Sequence, residues 1–544
     1  MKELVTRLIE KIQQQLRKIT KRQILFFLLA MALVVANGYA IIREFPAIQL
    51  ITVGVVGLYV VFFHADWAMY LVALSTPFSV IIRSKNIPLG LSLPSEALMI
   101  LVTMIFLARI LYDLSIDRKF LRHPISIAIL VYLGWMRLTS LTSVRPVVSI
   151  KFFASKVWFI TSCYWFFMQM ANDGLRNAVR YFNCYAIGLS IIVLITTYQH
   201  ALSGFDEHYA HFVMSPFYND HTAYGAALAF MLPVSVGFLF LPGNRWPQRT
   251  FYIVVSLILL MGFYLSFSRA AWLSLVVAVG VLVILKLRIK LSWIIGGGLV
   301  VGLLLFFYAD DILYKMSRNN QDSSGDFVEH IQSMSNISTD ASNMERINRW
   351  TAAFGMIRER PVFGWGPGTY QFEYAPFQQG YYRTIISTDF GDGGNAHSEY
   401  IGPCAETGFP GALTVVAIVI TFLICGIRTY IYAEDKTLKT LSLCMTLALI
   451  TYFTHGFLNN FLDTDKLSVL VWAAMAVLTV CDLKLQNENP KLLTANCPLP
   501  HRSSGGRAAR RHPSRRGGPV ARWPRYDRRS GQGRRNACRW HAAC

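Results

Sequence analysis

Residues 395–431 read NAHSEYIGPCAETGFPGALTVVAIVITFLICGIRTYI. The stretch opens on a polar head, Asn395-Ala396-His397-Ser398. It passes Gly408-Phe409-Pro410-Gly411 and runs into an apolar segment over about 410–431. A helix needs roughly 20 apolar residues to cross the hydrocarbon layer of a bilayer, and this segment supplies them. The fold is therefore that of a membrane helix whose mouth carries an ionisable residue. Histidine handles protons near neutral pH, and the neighbouring glycines permit tight turns.

The same pattern recurs along the chain. Hydrophobic residues make up 54% of it and charged residues 15%, against about 25% charged in a soluble globular protein. Apolar runs fall at about 24–42, 47–64, 67–82, 95–112, 125–142, 152–171, 180–199, 221–241, 250–267, 270–287, 291–308, 410–431, 438–457 and 465–482. The third, fourth and sixth also suit re-entrant or interfacial segments. The expected fold is all-α and polytopic, with 12–14 transmembrane helices and one large loop domain containing short helices. The expected divisions are an amphipathic N-terminus over 1–22, helices over 23–308, a loop domain over 309–409, helices over 410–482 and a tail over 483–544.

Charge orients these spans, because cytoplasmic loops collect Lys and Arg. Lys2, Arg7, Lys11, Arg17, Lys18, Lys21 and Arg22 crowd the N-terminus. Alternation then places Arg118, Lys119 and Arg122 on that side, followed by Arg176, Arg245 and Arg249, then Lys286, Arg288 and Lys290, then Arg428, Lys436 and Lys439. The loop domain and Ser268-Arg269 fall on the opposite, periplasmic side. Val5, Leu8, Ile9, Ile12 and Leu16 give residues 1–22 one apolar helical face, which suits a helix lying on anionic lipid.

Two features restrict function. The nine cysteines form no Cys-x-x-Cys pair and no metal spacing with histidine, so neither a structural disulfide nor a zinc site is expected. After Pro500 come thirteen arginines, no lysine and one acid, Asp527, so this segment holds twelve of the formal +21. It lacks hydrophobic periodicity, which points to disorder. Such a tail reads as a polybasic arm for anionic lipid, or as an unselected segment of the kind that out-of-frame translation yields. No nucleic-acid partner is expected.

Chemistry is expected in the loop domain. Ser342-Asn343 offers a cap for a helix running to about Glu359 and stopped by Pro361. Ile347, Trp350, Phe354 and Ile357 form its expected apolar face. Arg346 and Arg349, three apart, share a side. Gly364-Trp365-Gly366-Pro367-Gly368 reads as a turn, and 370–382 as an aromatic stretch. Asn395 is expected to cap a second helix with His397 and Ser398 in its first turn. A helix N-terminus there suits a phosphate. Pro403 is expected to kink or shorten that helix. Glu406 suits either orientation of His397 or a cap, and His211 and His221 read as structural.

The order Arg346…Trp350, then Arg360-Pro-Val-Phe-Gly-Trp-Gly-Pro-Gly368, then His397-Ser398-x9-Gly408-x-x-Gly411 with Glu406 resembles the bacterial O-antigen ligases and their polymerase relatives. Ser268-Arg269-Ala270-Ala271-Trp272 is similar to the family's Ser-Arg-small-small element. Asn219-Asp220-His221-Thr222-Ala223 resembles a looser one. The resemblance covers roughly 24–482. It implies glycan transfer from a polyprenyl (undecaprenyl) diphosphate carrier to an acceptor hydroxyl at the periplasmic face of the inner membrane. The acceptor would be lipid A-core, another glycan or a protein, and no metal or cofactor would be needed. His397 would be the base. Arg269 and Arg346 would hold the diphosphate, with Glu406, Ser398 and Arg349 in support. Repeat-unit polymerisation and protein O-glycosylation need the same residues. A transporter without chemistry is a more distant reading, since no internal repeat is evident.

Overall fold

The computed structural model describes residues 65–83, 90–113, 117–289, 296, 341–383, 387 and 394–488, all within one compact unit, Met1–Pro490. The apolar runs at 24–42, 47–64 and 291–308, the amphipathic N-terminus and the arginine tail lie outside these residues.

The described chain is helical apart from one two-stranded hairpin. Helix α1, Ala65–Ser75, leads through a short turn to β1, Val80–Arg83, which pairs antiparallel with β2, Gly90–Leu93. The helices of the main bundle follow. They are α2 (Ser95–Asp113), α3 (Pro124–Leu141), α4 (Pro146–Ile160), α5 (Phe167–Asp173) and α6 (Leu175–Leu202). Next come α7 (His221–Leu239), α8 (Trp246–Tyr264) and α9 (Arg269–Leu287). A helix outside the bundle, α10 (Ala341–Glu359), precedes α11 (Ile401–Tyr432), α12 (Lys436–His455) and α13 (Asp465–Glu488). Among the described residues nine helices, α2, α3, α6–α9 and α11–α13, are long and apolar enough to cross a membrane.

Two expected spans differ. The run at 67–82 is not one helix. Thr76-Pro77-Phe78 ends α1 after eleven residues, too short at about 1.5 Å per residue for a layer of about 30 Å. Pro77 lacks the N–H that a continuing helix needs, and the chain turns into the hairpin. The run at 152–171 is helical throughout, but a π-helical stretch, Thr161–Phe166, joins α4 to α5.

Local chemistry starts the helices. Pro124 and Pro146 open α3 and α4 at positions that have no intrahelical N–H partner. Asp220 caps α7 by accepting from Ala223 N at 2.7 Å, and Asp435 caps α12 through Thr437 N at 2.8 Å. Helix α13 is buried along almost its whole length, against α11, α12 and α4–α5. By contrast α8 and α9 leave Leu257, Leu260, Leu273 and Val276 exposed, the surface that lipid covers in a spanning helix.

Polar clasps close both ends of α13. At its C-terminal end Asp482 accepts from Arg428 Nε at 3.0 Å and Gln486 Nε2 at 2.7 Å, and meets His123 Nε2 at 3.0 Å. Cys425 lies in the same group. A buried carboxylate is tolerable when so paired. This contact puts the Arg118–Arg122 turn and the end of α11 at one end of the bundle. At the other end Asp465 accepts from Ser95 Oγ at 2.5 Å. Lys466 Nζ donates to the carbonyls of Thr76 and Ser79 at 2.6 and 2.7 Å, pinning the hairpin.

Candidate functional site

Helix α10 packs against the start of α11. Ala352, Ala353, Met356 and Ile357 form its buried face, joined by Trp365, Tyr370, Tyr374, Cys404 and Ala405. The helix has the expected extent, but its core face is displaced. Phe354 is half-exposed, and the small alanines face the bundle instead. Two alanines let the helix approach closely, and the bulky Trp365 fills the gap from the glycine turn.

That turn is laced onto α11. Trp365 N donates to Ala405 O at 3.2 Å and Gly366 N to Glu406 O at 2.7 Å. The Glu406 carboxylate accepts from Gly368 N at 2.9 Å and Tyr370 N at 3.1 Å. Glu406 therefore anchors the glycine turn and takes the first backbone N–H of the short helix Tyr370–Glu373. A carboxylate taking two backbone N–H groups keeps about two further acceptor sites.

Helix α11 is broken at Gly408, whose φ is 74° and ψ 179°. Phe409 N leaves the helical ladder and donates to Pro361 O at 2.9 Å. A Cβ at Gly408 would lie 2.0 Å from Val362 O. The apolar run read from residue 410 thus begins where the helix restarts. Pro403 causes no kink, because it sits in the first turn, where its missing N–H is not needed.

His397 lies ahead of α11 and not in its first turn. Its backbone is left-handed, with φ 48°, held by an Asx turn in which His397 N donates to Asn395 Oδ1 at 3.1 Å. Ser398 is the residue that caps: its Oγ accepts from Tyr400 N and Ile401 N, both at 3.3 Å. Glu399 is buried behind them and accepts from Phe461 N at 2.8 Å and Leu462 N at 2.9 Å. Burial pushes its carboxyl up. Tyr400 stacks on Phe457 at 4.4 Å. The 394–400 segment is thus wedged between α10 and the turn after α12.

Arg349 is buried and committed to this wedge. Its Nε donates to Glu345 at 2.7 Å and its Nη1 to Asn395 O at 3.2 Å, and its guanidinium lies 5.1 Å from the Tyr374 ring. It positions the His397 segment. Arg346, one helical turn earlier, is half-buried and faces His397 together with Arg349.

The half-buried His397 imidazole is held far below its ordinary range, at about 3, by burial and then by Arg349 and Arg346, with Asp220 and Asn459 acting in the opposite sense. The neutral ring, able to accept a proton, is the form present at physiological pH. His221, first residue of α7, lies in electrostatic range of Asp220, Arg346 and Arg269, and its ring is 4.1 Å from that of His211. His455, last residue of α12, is in range of Asp220, Arg346 and His221. Arg269 opens α9.

Residues far apart in sequence are thus linked electrostatically: Arg346 acts on His397, His221 and His455, and Arg269 acts on His221, near where α7 and α9 begin and α12 ends. Two helix N-termini add partial positive charge, which suits an anion. Asp220, His221 and His455 join this cluster. The Asn219–Ala223 element signalled the first two, but with His221 read as structural. His455 closes an apolar run and carried no signal.

Comparison with known proteins agrees with this picture. The family model described as O-Antigen ligase matches residues 254–416, which covers Arg269, Arg346 and His397. The match supports an O-antigen ligase-related family, of ligase or polymerase type, and a multi-pass membrane protein. An uncharacterized protein of Haemophilus influenzae is 24% identical over 248 residues, 44% of this chain and 58% of that protein. The chain thus matches little more than half the length of that relative.

Proposed function

We propose, for a chain related to O-antigen ligases over residues 254–416, that it transfers a glycan from a polyprenyl diphosphate to an acceptor hydroxyl at the periplasmic face of the inner membrane. The observation that supports the reading is that His397, wedged ahead of α11 by its Asx turn and the Ser398 cap, lies in electrostatic range of Arg346, while Arg269 at the start of α9 lies in range of His221 at the start of α7. The acceptor O–H gives its proton to the neutral His397 ring. The freed oxygen bonds to the anomeric carbon, and the carbon–oxygen bond to the diphosphate breaks. The leaving diphosphate takes the electron pair, and Arg269 and Arg346 stabilise its charge. Lipid A-core is the proposed acceptor.

The test uses the full chain in detergent with an undecaprenyl diphosphate glycan and O-antigen-free lipopolysaccharide, following release of the carrier. Release that depends on the acceptor supports ligation. Chain growth on a second lipid-linked glycan would mean polymerisation, and no transfer to either would reject the reading. Arg269→Lys keeps the charge but loses the planar fork. Transfer is expected to fall roughly 10-fold, a rise of about 1.4 kcal/mol in the barrier, while the protein still inserts. Wild-type transfer by Arg269→Ala would reduce this residue to an interface anchor.

A further inference from the structure

Behind the 394–399 segment, α3, α4 and α11 enclose a cavity of about 210 Å³ that none of His397, Arg269 or Arg346 lines. It is smaller than the roughly 300–1,000 Å³ of a drug-sized site, and has room for a single ring. Unlike the arginine cluster, it is lined by carboxyl groups, and among the described residues it offers no free cation. Glu399, Glu406 and Asp463 face it, with Lys156 as the cation. That cation is already committed, since Lys156 Nζ donates to Asp463 Oδ1 and Leu462 O, each at 2.7 Å. A diphosphate would meet carboxyl groups with no available counter-charge. Tyr132 and Trp135 supply ring surface, and Trp135 is fixed by its Nε1 bond to Thr407 O at 2.8 Å. Carboxyl oxygens that accept O–H groups, beside aromatic faces that take C–H surface, match an uncharged sugar.

We propose that this cavity is the subsite for one pyranose ring of the acceptor, an inference that rests on the transferase reading above. Donor diphosphate and this one ring would then lie on two sides of the 394–399 segment, and the reacting hydroxyl would belong to a neighbouring sugar of the same acceptor that reaches His397. With Lys156 committed to Asp463, the cavity lacks the cation that would draw a diphosphate into it.

Gly402 lines the cavity and offers a way to plug it. A Cβ there would meet nothing closer than Ala396 Cβ at 3.6 Å, an ordinary contact, so Gly402→Cys should fold, and the unlabelled variant is the reference for the labelled one. Labelling it in the folded protein with a bulky thiol reagent is expected to raise the KM for O-antigen-free lipopolysaccharide at least roughly 10-fold. The thermal shift given by undecaprenyl diphosphate alone should stay unchanged. Wild type treated with the same reagent controls for the native cysteines. The same lipopolysaccharide should also protect Gly402→Cys from labelling. That measurement does not need turnover, so it separates this inference from the transferase reading. A labelled protein with unchanged acceptor KM, an absence of protection, or loss of the carrier shift on labelling would each overturn the subsite.

Discussion

His397→Ala is expected to abolish detectable glycan transfer while membrane insertion and carrier binding stay near wild type. A positioned general base contributes typically ~10²–10⁴-fold. His397 is placed for the task by its Asx turn and by the Ser398 cap beneath it. The variant removes no hydrogen bond to its own backbone N–H, because Asn395 Oδ1 accepts that group whatever the side chain. His397→Gln should not rescue, since an amide donates and accepts hydrogen bonds without taking a proton. The low proton affinity of the ring, about 3, has a pH signature. A base works in its unprotonated form, and that form prevails at every pH above about 3. So kcat/KM, which reports the free enzyme, should show no acid limb from His397 between about pH 8 and about pH 5. An acid limb near pH 6.5 in the wild type would mean that burial and the arginines do not lower the ring's proton affinity as described. Bound diphosphate would offset those arginines, so any limb belongs in kcat and not in kcat/KM. Near-normal turnover by His397→Ala would leave only electrostatic stabilisation by the arginines.

Much of this arrangement is legible from the residues alone, and the parts that are not have physical reasons. The apolar run from 410 and the helix Ala341–Glu359 follow from hydropathy, capping and the stop at Pro361, which are local properties. A joint site of Arg269, Arg346 and His397 is expected only through a resemblance in the order of motifs. No periodicity predicts that Arg346 acts on His397 and Arg269 on His221, because helix packing sets such long-range neighbours. On α10 the expected Ile357 is buried but Phe354 is exposed, and Ala352 and Ala353 take its place; alanine is a weak hydrophobic signal, yet small side chains are what a close crossing selects. The partners of Glu406 are backbone N–H groups from residues 368 and 370, and a sequence gives no sign of which turn will present them. Pro77, visible in the run at 67–82, is the local signal that the span there fails.

Gly408→Ala is expected to cost more folded protein than any other single methyl group added along the 401–411 segment, except at Gly411. Two costs combine. A residue with a Cβ at this positive φ with ψ near 180°, a region that essentially only glycine adopts, costs about 1–3 kcal/mol. Forcing that Cβ against Val362 O, 2.0 Å away, adds an overpacking cost of about 1–3 kcal/mol. The sum, roughly 2–6 kcal/mol, is a large part of a typical stability of about 5–15 kcal/mol. The alternative for the chain is to straighten Gly408 into the helix. That would withdraw Phe409 N from Pro361 O and pull the glycine turn off Ala405 and Glu406. Either route loosens the wedge that holds His397. Gly402→Ala, six residues earlier on the same helix, is the internal control, since its methyl group meets only Ala396 at 3.6 Å. Thermal melts of the two variants in detergent should therefore diverge, with Gly408→Ala melting well below wild type and Gly402→Ala beside it. If both melt like wild type, the break at Gly408 is not a fixed feature of the fold.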